Sequence, residues 1–328
     1  MTPLPVPGAA GTPTASSGGS PTGLTVTEFT DPLCPWAWGS EPTLRALRRV
    51  LGEQASWRRV FGILFDEDDD PPPDPAAETR WYEGFVAEVC GHTGAPRADR
   101  LDRVALSSWP SSLAAKAAEY QGGRVADLVL RRLRESVFVL GVPADTEARV
   151  LDVLAGVPGL AADRLLTGMR AAATRRAVAR DRAETRRPAR ELLTLDGPGP
   201  HSGRPKPVEG GHRYALPTVR LTGPQGTVYV PGWRPYEEYL AAARAVAPGV
   251  VTRAAPLTAA QALERYRSVT AAEVKRLTGA AGPPAGAVRV ETPNCPLWLH
   301  PEEARAHPAA VRPGVMGISP HETSRGIH

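Results

Sequence analysis

The chain has 328 residues, 42% of them hydrophobic, enough for a sizeable core in one large or two small domains. Its net charge is only +4, from 39 basic and 35 acidic residues interspersed along the chain, which argues against a nucleic-acid partner. Three scattered cysteines make no disulfide framework, and the seven histidines fall in no ligand-spaced motif, so no metal site is expected; with no ~20-residue apolar run and no signal-like N-terminus, the expectation is a protein of the reducing cytoplasm with no membrane partner.

Residues 1–22 are rich in Pro, Gly, Ser and Thr and read as a disordered arm. Leu24 to Thr30, "LTVTEFT", alternates and is β-branched, so it predicts a strand. A proline-broken turn, "TDPLCPWAWGS", carries Cys34. A helix follows, with Leu44, Leu47, Val50 and Leu51 on one face, Ser40 as its cap and Gly52 as its stop. A second strand is expected from Trp57 to Leu64. Asp66 to Pro75, five acids followed by prolines and one more acid, reads as a solvated loop rather than a calcium site, because it lacks spaced ligands and a turn glycine.

Residues 76–195 carry helical periodicity throughout. One helix contains Cys90, read as a buried structural thiol. Another starts at Ser111 or Ser112 as cap. A third places Val125, Leu128, Leu133 and Val137 at helical spacing, and a long one runs from Ala162 to Arg187. Asp196 to Gly211 reads as a loop. "YALPTVRLTGPQGTVYVPG" predicts a hairpin of two strands, and "RPYEEYLAAARAVAPG" a helix. Two short helices and a small hairpin after Leu257 predict a compact module resembling a degenerate winged helix and packed on the main body. The order is βαβ, a helical block, then ββα. The expected fold class is therefore α/β, a thioredoxin-like βαβ–ββα sheet with a large helical insertion and a small C-terminal module. The boundaries are 23–75 and 206–256 for the sheet domain, 76–205 for the insertion and 257–304 for the module, with 305–328 a disordered tail.

Cys34 stands just ahead of the first helix. Unpaired N–H groups and the macrodipole there favour an anion, so the sequence predicts a depressed pKa and a reactive thiolate. Pro35 surrenders an N–H that the first turn leaves unpaired. Trp36 and Trp38 supply aromatic surface. Pro217 opens a strand, which strand interiors exclude, and a cis Leu216–Pro217 bond explains it; the Leu216 N–H and C=O are then expected to be free for an extended ligand.

The layout and the "TDPLCPW" segment resemble the DsbA-like branch of the thioredoxin superfamily, in particular its cytoplasmic members with an Asp-x-x-Cys-Pro-Trp-Cys signature. "SSLAAKAAEYQG", "LRRLRESVFVLG" and "VPGWRPYEEYLAAARAVAPG" are similar to actinobacterial DsbA-family sequences. The resemblance covers roughly residues 24–255, with Cys34, Pro35, Trp36 and Pro217 matching position by position. Ala37 departs from it, standing where the family has its resolving cysteine. The resemblance implies a thiol–disulfide oxidoreductase acting as a monothiol through Cys34. A groove of Pro35, Trp36, Trp38, Leu216, Pro217 and Thr218 would bind a small thiol or disulfide substrate. No cofactor is held tightly; mycothiol or glutathione is the co-substrate that resolves the intermediate. Two alternatives stay open. One is an enzyme of the kappa-transferase or isomerase kind using a bound thiol cofactor. The other is a non-catalytic scaffold that meets a protein partner through the C-terminal module. The redox reading requires a reachable Cys34 with Pro217 beside it.

Overall fold

The computed structural model describes residues 22–67 and 72–311. Along the chain these form β1 (Leu24–Thr30), α1 (Pro35–Gly39), α2 (Glu41–Leu51), β2 (Ala55–Phe61), α3 (Pro75–Thr93), α4 (Trp109–Glu119), α5 (Gly123–Phe138), α6 (Glu147–Leu154), α7 (Ala162–Arg170) and α8 (Ala172–Thr185). There follow β3 (Lys206–Val208), β4 (Gly211–Arg213), β5 (Thr218–Gly223), β6 (Gly226–Pro231) and α9 (Tyr236–Val246). The described residues end in α10 (Ala259–Tyr266), β7 (Ser268–Thr270), α11 (Ala271–Thr278), β8 (Val288–Val290), β9 (Leu297–Leu299), α12 (Pro301–Ala304) and α13 (Pro308–Val311).

The central sheet has the order β2-β1-β5-β6, with β1 parallel to β2 and antiparallel to β5, and β6 antiparallel to β5. This is the thioredoxin-like α/β fold, and α3–α8 lie between its two halves in sequence. On one side of the sheet, Leu24, Val26, Val219 and Leu221 pack on Leu44, Leu47 and Leu51 of α2 and on Tyr239, Leu240, Ala243 and Val246 of α9. Each fully buried leucine of α2 contributes about 1.5–3 kcal/mol relative to leaving it in water. Beyond the sheet's other elements, Phe61 joins a cluster built from α4, α5, α6 and α7. A three-stranded sheet, β7-β9-β8, forms the C-terminal module with α10 and α11, and α11 packs against α2 through Arg45 and Glu273.

Several expectations need correction. The second strand ends at Phe61. Gly62 donates to the Thr30 carbonyl and Ile63 takes a positive φ of 49°, which turns the chain out of the sheet. A Cβ at Gly62 would stand 2.7 Å from Leu216 Cδ1, so the two loops approach closely there. Helix α4 begins at Trp109 with Ser108 as cap, while the Ser111 hydroxyl bonds the Ala144 carbonyl. The long helix expected from Ala162 is broken at Ala171 into α7 and α8. Part of the expected loop is the β3–β4 hairpin. Asp66 is buried, accepting from Trp109 Nε1 at 3.1 Å and Arg182 Nε at 2.6 Å, so the acidic stretch is not wholly solvated. The expected tail begins too early: His307 and Ala309 are buried, and His307 Nε2 meets Glu135 Oε2 at 2.9 Å. The arm up to residue 21, Asp68 to Pro71 and the stretch 312–328 lie outside the described residues.

Candidate functional site

The site grows from the exit of β1. Asp31 is fully buried and ties the turn together. Its carboxyl accepts from the backbone N–H of Leu33 and of Leu64, each at 2.8 Å, and from Ser108 Oγ at 3.1 Å. Burial pushes this carboxyl upward against the pull of those three bonds. The turn delivers Cys34 as the residue before α1, with Pro35 at the first helical position. Ser40 precedes α2, and its hydroxyl bonds back to the Trp36 carbonyl at 2.8 Å.

Cys34 is only 4% exposed. Its Sγ donates to the carbonyl of Leu216 at 3.4 Å, and the Leu216–Pro217 bond is cis. The thiol is pushed up to about 11, first by burial, with the Asp31 carboxylate adding to it; the Ala37 N–H pulls the other way and does not win. This overturns the expectation of a depressed pKa. The helix start is present, but a five-residue helix in a dry setting does not offset the loss of water around a thiolate. Of the two requirements on the redox reading, Pro217 is beside the sulfur and the resting thiol is nearly sealed.

His201, in the loop before β3, was not singled out by the sequence. Its Nε2 meets the same Leu216 carbonyl at 3.1 Å and its Nδ1 accepts from the Gly203 N–H at 3.2 Å. Those partners assign the proton to Nε2. Burial, assisted by nearby cations, drops the ring to about 4, so it is neutral at physiological pH. The Leu216 carbonyl is therefore occupied twice, not free for a ligand as expected.

The sulfur lies at the base of a cleft of about 520 Å³. Trp36, Tyr82, Phe85 and Leu216 line it, with Trp81 at its lip, 63% exposed and stacked on Phe85 at 5.9 Å. Glu78, Glu88 and Lys206, with the buried Arg213, bring charge to the lining. Trp36 is tilted against His201 with ring centres 5.0 Å apart. Tyr82 donates to the Leu33 carbonyl at 3.2 Å, holding the turn from the α3 side.

The structure thus brings Cys34, Pro35, Trp36 and Leu216 together at the cleft. Trp38 is turned away: its Nε1 donates to the Pro96 carbonyl at 2.9 Å and its ring lies under Arg131 at 4.4 Å, in a separate core cluster. Thr218 is buried and donates to the Ala215 carbonyl at 2.6 Å, serving the bend into β5 rather than the cleft. Pro217 carries the chain from the cleft wall into β5, its carbonyl accepting from Gly232 at 2.9 Å. Cys90 is buried in a cluster other than that of Cys34, and burial pushes its thiol to about 12; Cys295 Sγ donates to the Gly94 carbonyl at 3.3 Å. Neither bonds Cys34. Aromatics at 81, 82 and 85 were the available signal for the α3 wall, and nothing in the sequence marks His201.

A thioredoxin family model matches residues 28–186. Two curated relatives are ClpXP adapter proteins SpxH. That of Shouchella clausii is 29% identical over 149 residues, 44% of this chain and 48% of that protein. That of Halalkalibacterium halodurans is 32% identical over 120 residues, 35% of this chain and 39% of that protein. The chain thus spans half or less of the length of these relatives. Among solved structures, one assigned as a protein disulfide isomerase from Nitrosomonas europaea has a TM-score of 0.50 at 13% identity, covering 66% of this chain and 93% of that one. The cytosolic disulfide reductase DsbM from Pseudomonas aeruginosa has a TM-score of 0.45 at 19% identity, covering 67% and 93%. The likeness to the Nitrosomonas europaea structure is one of fold.

Proposed function

We propose that this thioredoxin-fold chain is a thiol–disulfide exchange protein with a single reacting sulfur, Cys34, working in the reducing cytoplasm. The observation that carries this reading is the placement of Cys34 Sγ at the base of an aromatic cleft, 3.4 Å from the carbonyl that precedes cis Pro217. A disulfide held in the cleft against Trp36 and Leu216 is attacked by Cys34. The new bond joins Cys34 to one substrate sulfur; the old sulfur–sulfur bond breaks and the other substrate sulfur leaves as a thiolate. That leaving thiolate takes up the proton that Cys34 gives away. His201 does not serve as the base, because its Nε2 proton is already committed to Leu216 and its Nδ1 to Gly203. A low-molecular-weight thiol, mycothiol or glutathione, then attacks the mixed disulfide and restores Cys34, since Ala37 supplies no second sulfur. The resting proton makes exchange depend on a ligand that opens the contact between Cys34 and Leu216.

The buried, protonated state of Cys34 favours one second reading, a thioredoxin-fold binding protein. The curated relatives are adapters by name, and a protein partner met through the C-terminal module belongs to this reading. Intact mass after incubation with glutathione disulfide and mycothiol disulfide separates the two. A single adduct, lost in Cys34→Ser, is the expected result. An absence of adduct up to pH 9, in a protein whose cellular phenotype survives Cys34→Ala, would overturn the exchange reading in favour of binding.

A further inference from the structure

A second cavity, of about 290 Å³, shares no lining residue with the Cys34 cleft. It opens where β1, β2, α2, α5 and α10 meet. Six arginines line it: Arg45, Arg48, Arg59, Arg124, Arg134 and Arg265. Only three carboxylates do so, Glu28, Glu41 and Asp127. Burial pushes the Glu28 and Glu41 carboxyls up, but the surrounding arginines outweigh it: Glu28 is lowered and Glu41 is held at about 2. All three acids are therefore spent on the inner cations. Arg134 reaches Glu41, Arg48 reaches Glu28 at 3.1 Å, and Arg59 reaches Asp127 at 2.5 Å. Arg45 also draws on Glu273 at 3.0 Å, outside the cavity.

The excess of cations remains at the mouth. Arg124 and Arg265 are exposed and have no carboxylate partner among the described residues; Arg265 lies beside Tyr266, 5.7 Å from its ring centre. Deeper, Arg134 is 1% exposed, and its Nε has no hydrogen-bond partner. A buried guanidinium with an unmet donor is costly unless something accepts from it. Crowded like charge at a low-dielectric wall also focuses a positive potential toward the opening.

We propose that this cavity binds a small phosphate-bearing anion carrying two or more negative charges. A tetrahedral phosphate offers acceptors in several directions, which suits guanidinium forks converging from separate elements. The volume lies at the lower end of small-molecule pockets, which begin near about 300 Å³, so it suits a compact ligand such as a diphosphate rather than a nucleic acid strand. Arg134 also donates to Thr30 Oγ1 at 2.7 Å, at the end of the strand that leads to Cys34, so the two sites share a support without sharing a wall.

The test is calorimetric titration of the full chain with inorganic pyrophosphate, at constant ionic strength set by sodium chloride. One site per chain is expected. The doubly substituted Arg124→Ala, Arg265→Ala protein, altered only at exposed positions, should bind about tenfold more weakly, and Cys34→Ser should bind as the unaltered protein does. Absence of binding beyond the chloride control would overturn the proposal, as would equal affinity in the double variant. Loss of binding in Cys34→Ser would move the site to the cleft and overturn it too. Citrate binding more tightly than pyrophosphate would overturn the assignment to phosphate.

Discussion

At Cys34, two opposing effects on one sulfur can be weighed. The start of α1 and the Ala37 N–H favour the thiolate; burial among side chains such as Trp36 and Leu216, with the Asp31 carboxylate close by, disfavours it, and the thiol stays near 11. Alkylation of Cys34 by iodoacetamide should therefore be slow at pH 7 and rise about tenfold per pH unit until near 11. A rate that levels off below pH 9 would mean that the sulfur is more open than described. The same enclosure links pH to stability. A thiol that titrates higher folded than unfolded contributes stability that is fully present below the unfolded value, about 8.5, and that falls as pH rises through about 11. Between those limits the unaltered protein should lose up to roughly 3 kcal/mol more than Cys34→Ser in urea unfolding. Ala37 is fully buried with its N–H toward Sγ. In Ala37→Cys, a second sulfur would stand one helical turn on from the first, and mild oxidation should remove two hydrogens from the intact mass. An unchanged mass would show that the turn cannot bring the two sulfurs to bonding geometry.

Helix α5 carries a different lesson. Its apolar positions are legible in the sequence, yet Arg131, Arg132, Arg134 and Glu135 are buried as well. Arg131 forks onto Glu273 at 2.9 and 3.0 Å, meets Glu135 at 2.7 Å and covers the Trp38 ring. Arg132 meets Glu303. The helix is thus gripped by the C-terminal module through charge. Removing one partner of such a set leaves the others buried and unpaired, so Arg131→Met should destabilise the fold by about 3–5 kcal/mol, read from the urea midpoint. A loss under 1 kcal/mol would show that the acids find water or other partners.

Across the whole molecule, these contacts make the sheet domain, the insertion and the module one ionic assembly. Glu41, which joins α2 to α5, is held at about 2 because its arginine neighbours outweigh burial, and Glu135 is likewise held low. Carboxyls lowered by folding contribute stability that is present above their unfolded value of about 4.5 and is lost as pH falls toward 2. For Glu41 alone that amounts to roughly 3 kcal/mol. Acid titration of stability should therefore fall steeply between those limits, and Glu41→Gln should flatten the curve; an equally steep fall in the variant would assign the acid sensitivity to other groups.

What was legible in the sequence was local. Alternation in "LTVTEFT", the leucine face of α2, the glycine stop at Gly52 and the unusual position of Pro217 each depend on a few neighbouring residues, and each appears where expected. The sheet split by a helical insertion followed from the βαβ–insertion–ββα order of elements, because connections in such folds allow few alternatives. The state of the sulfur was not legible. It depends on Leu216 and His201, which lie far along the chain, and on how completely they exclude water; the direction in which Trp38 turns depends on Arg131 and Pro96 in the same way. Periodicity and capping are short-range properties that a linear sequence carries. Desolvation and charge pairing are set by distant groups, and only folding places those.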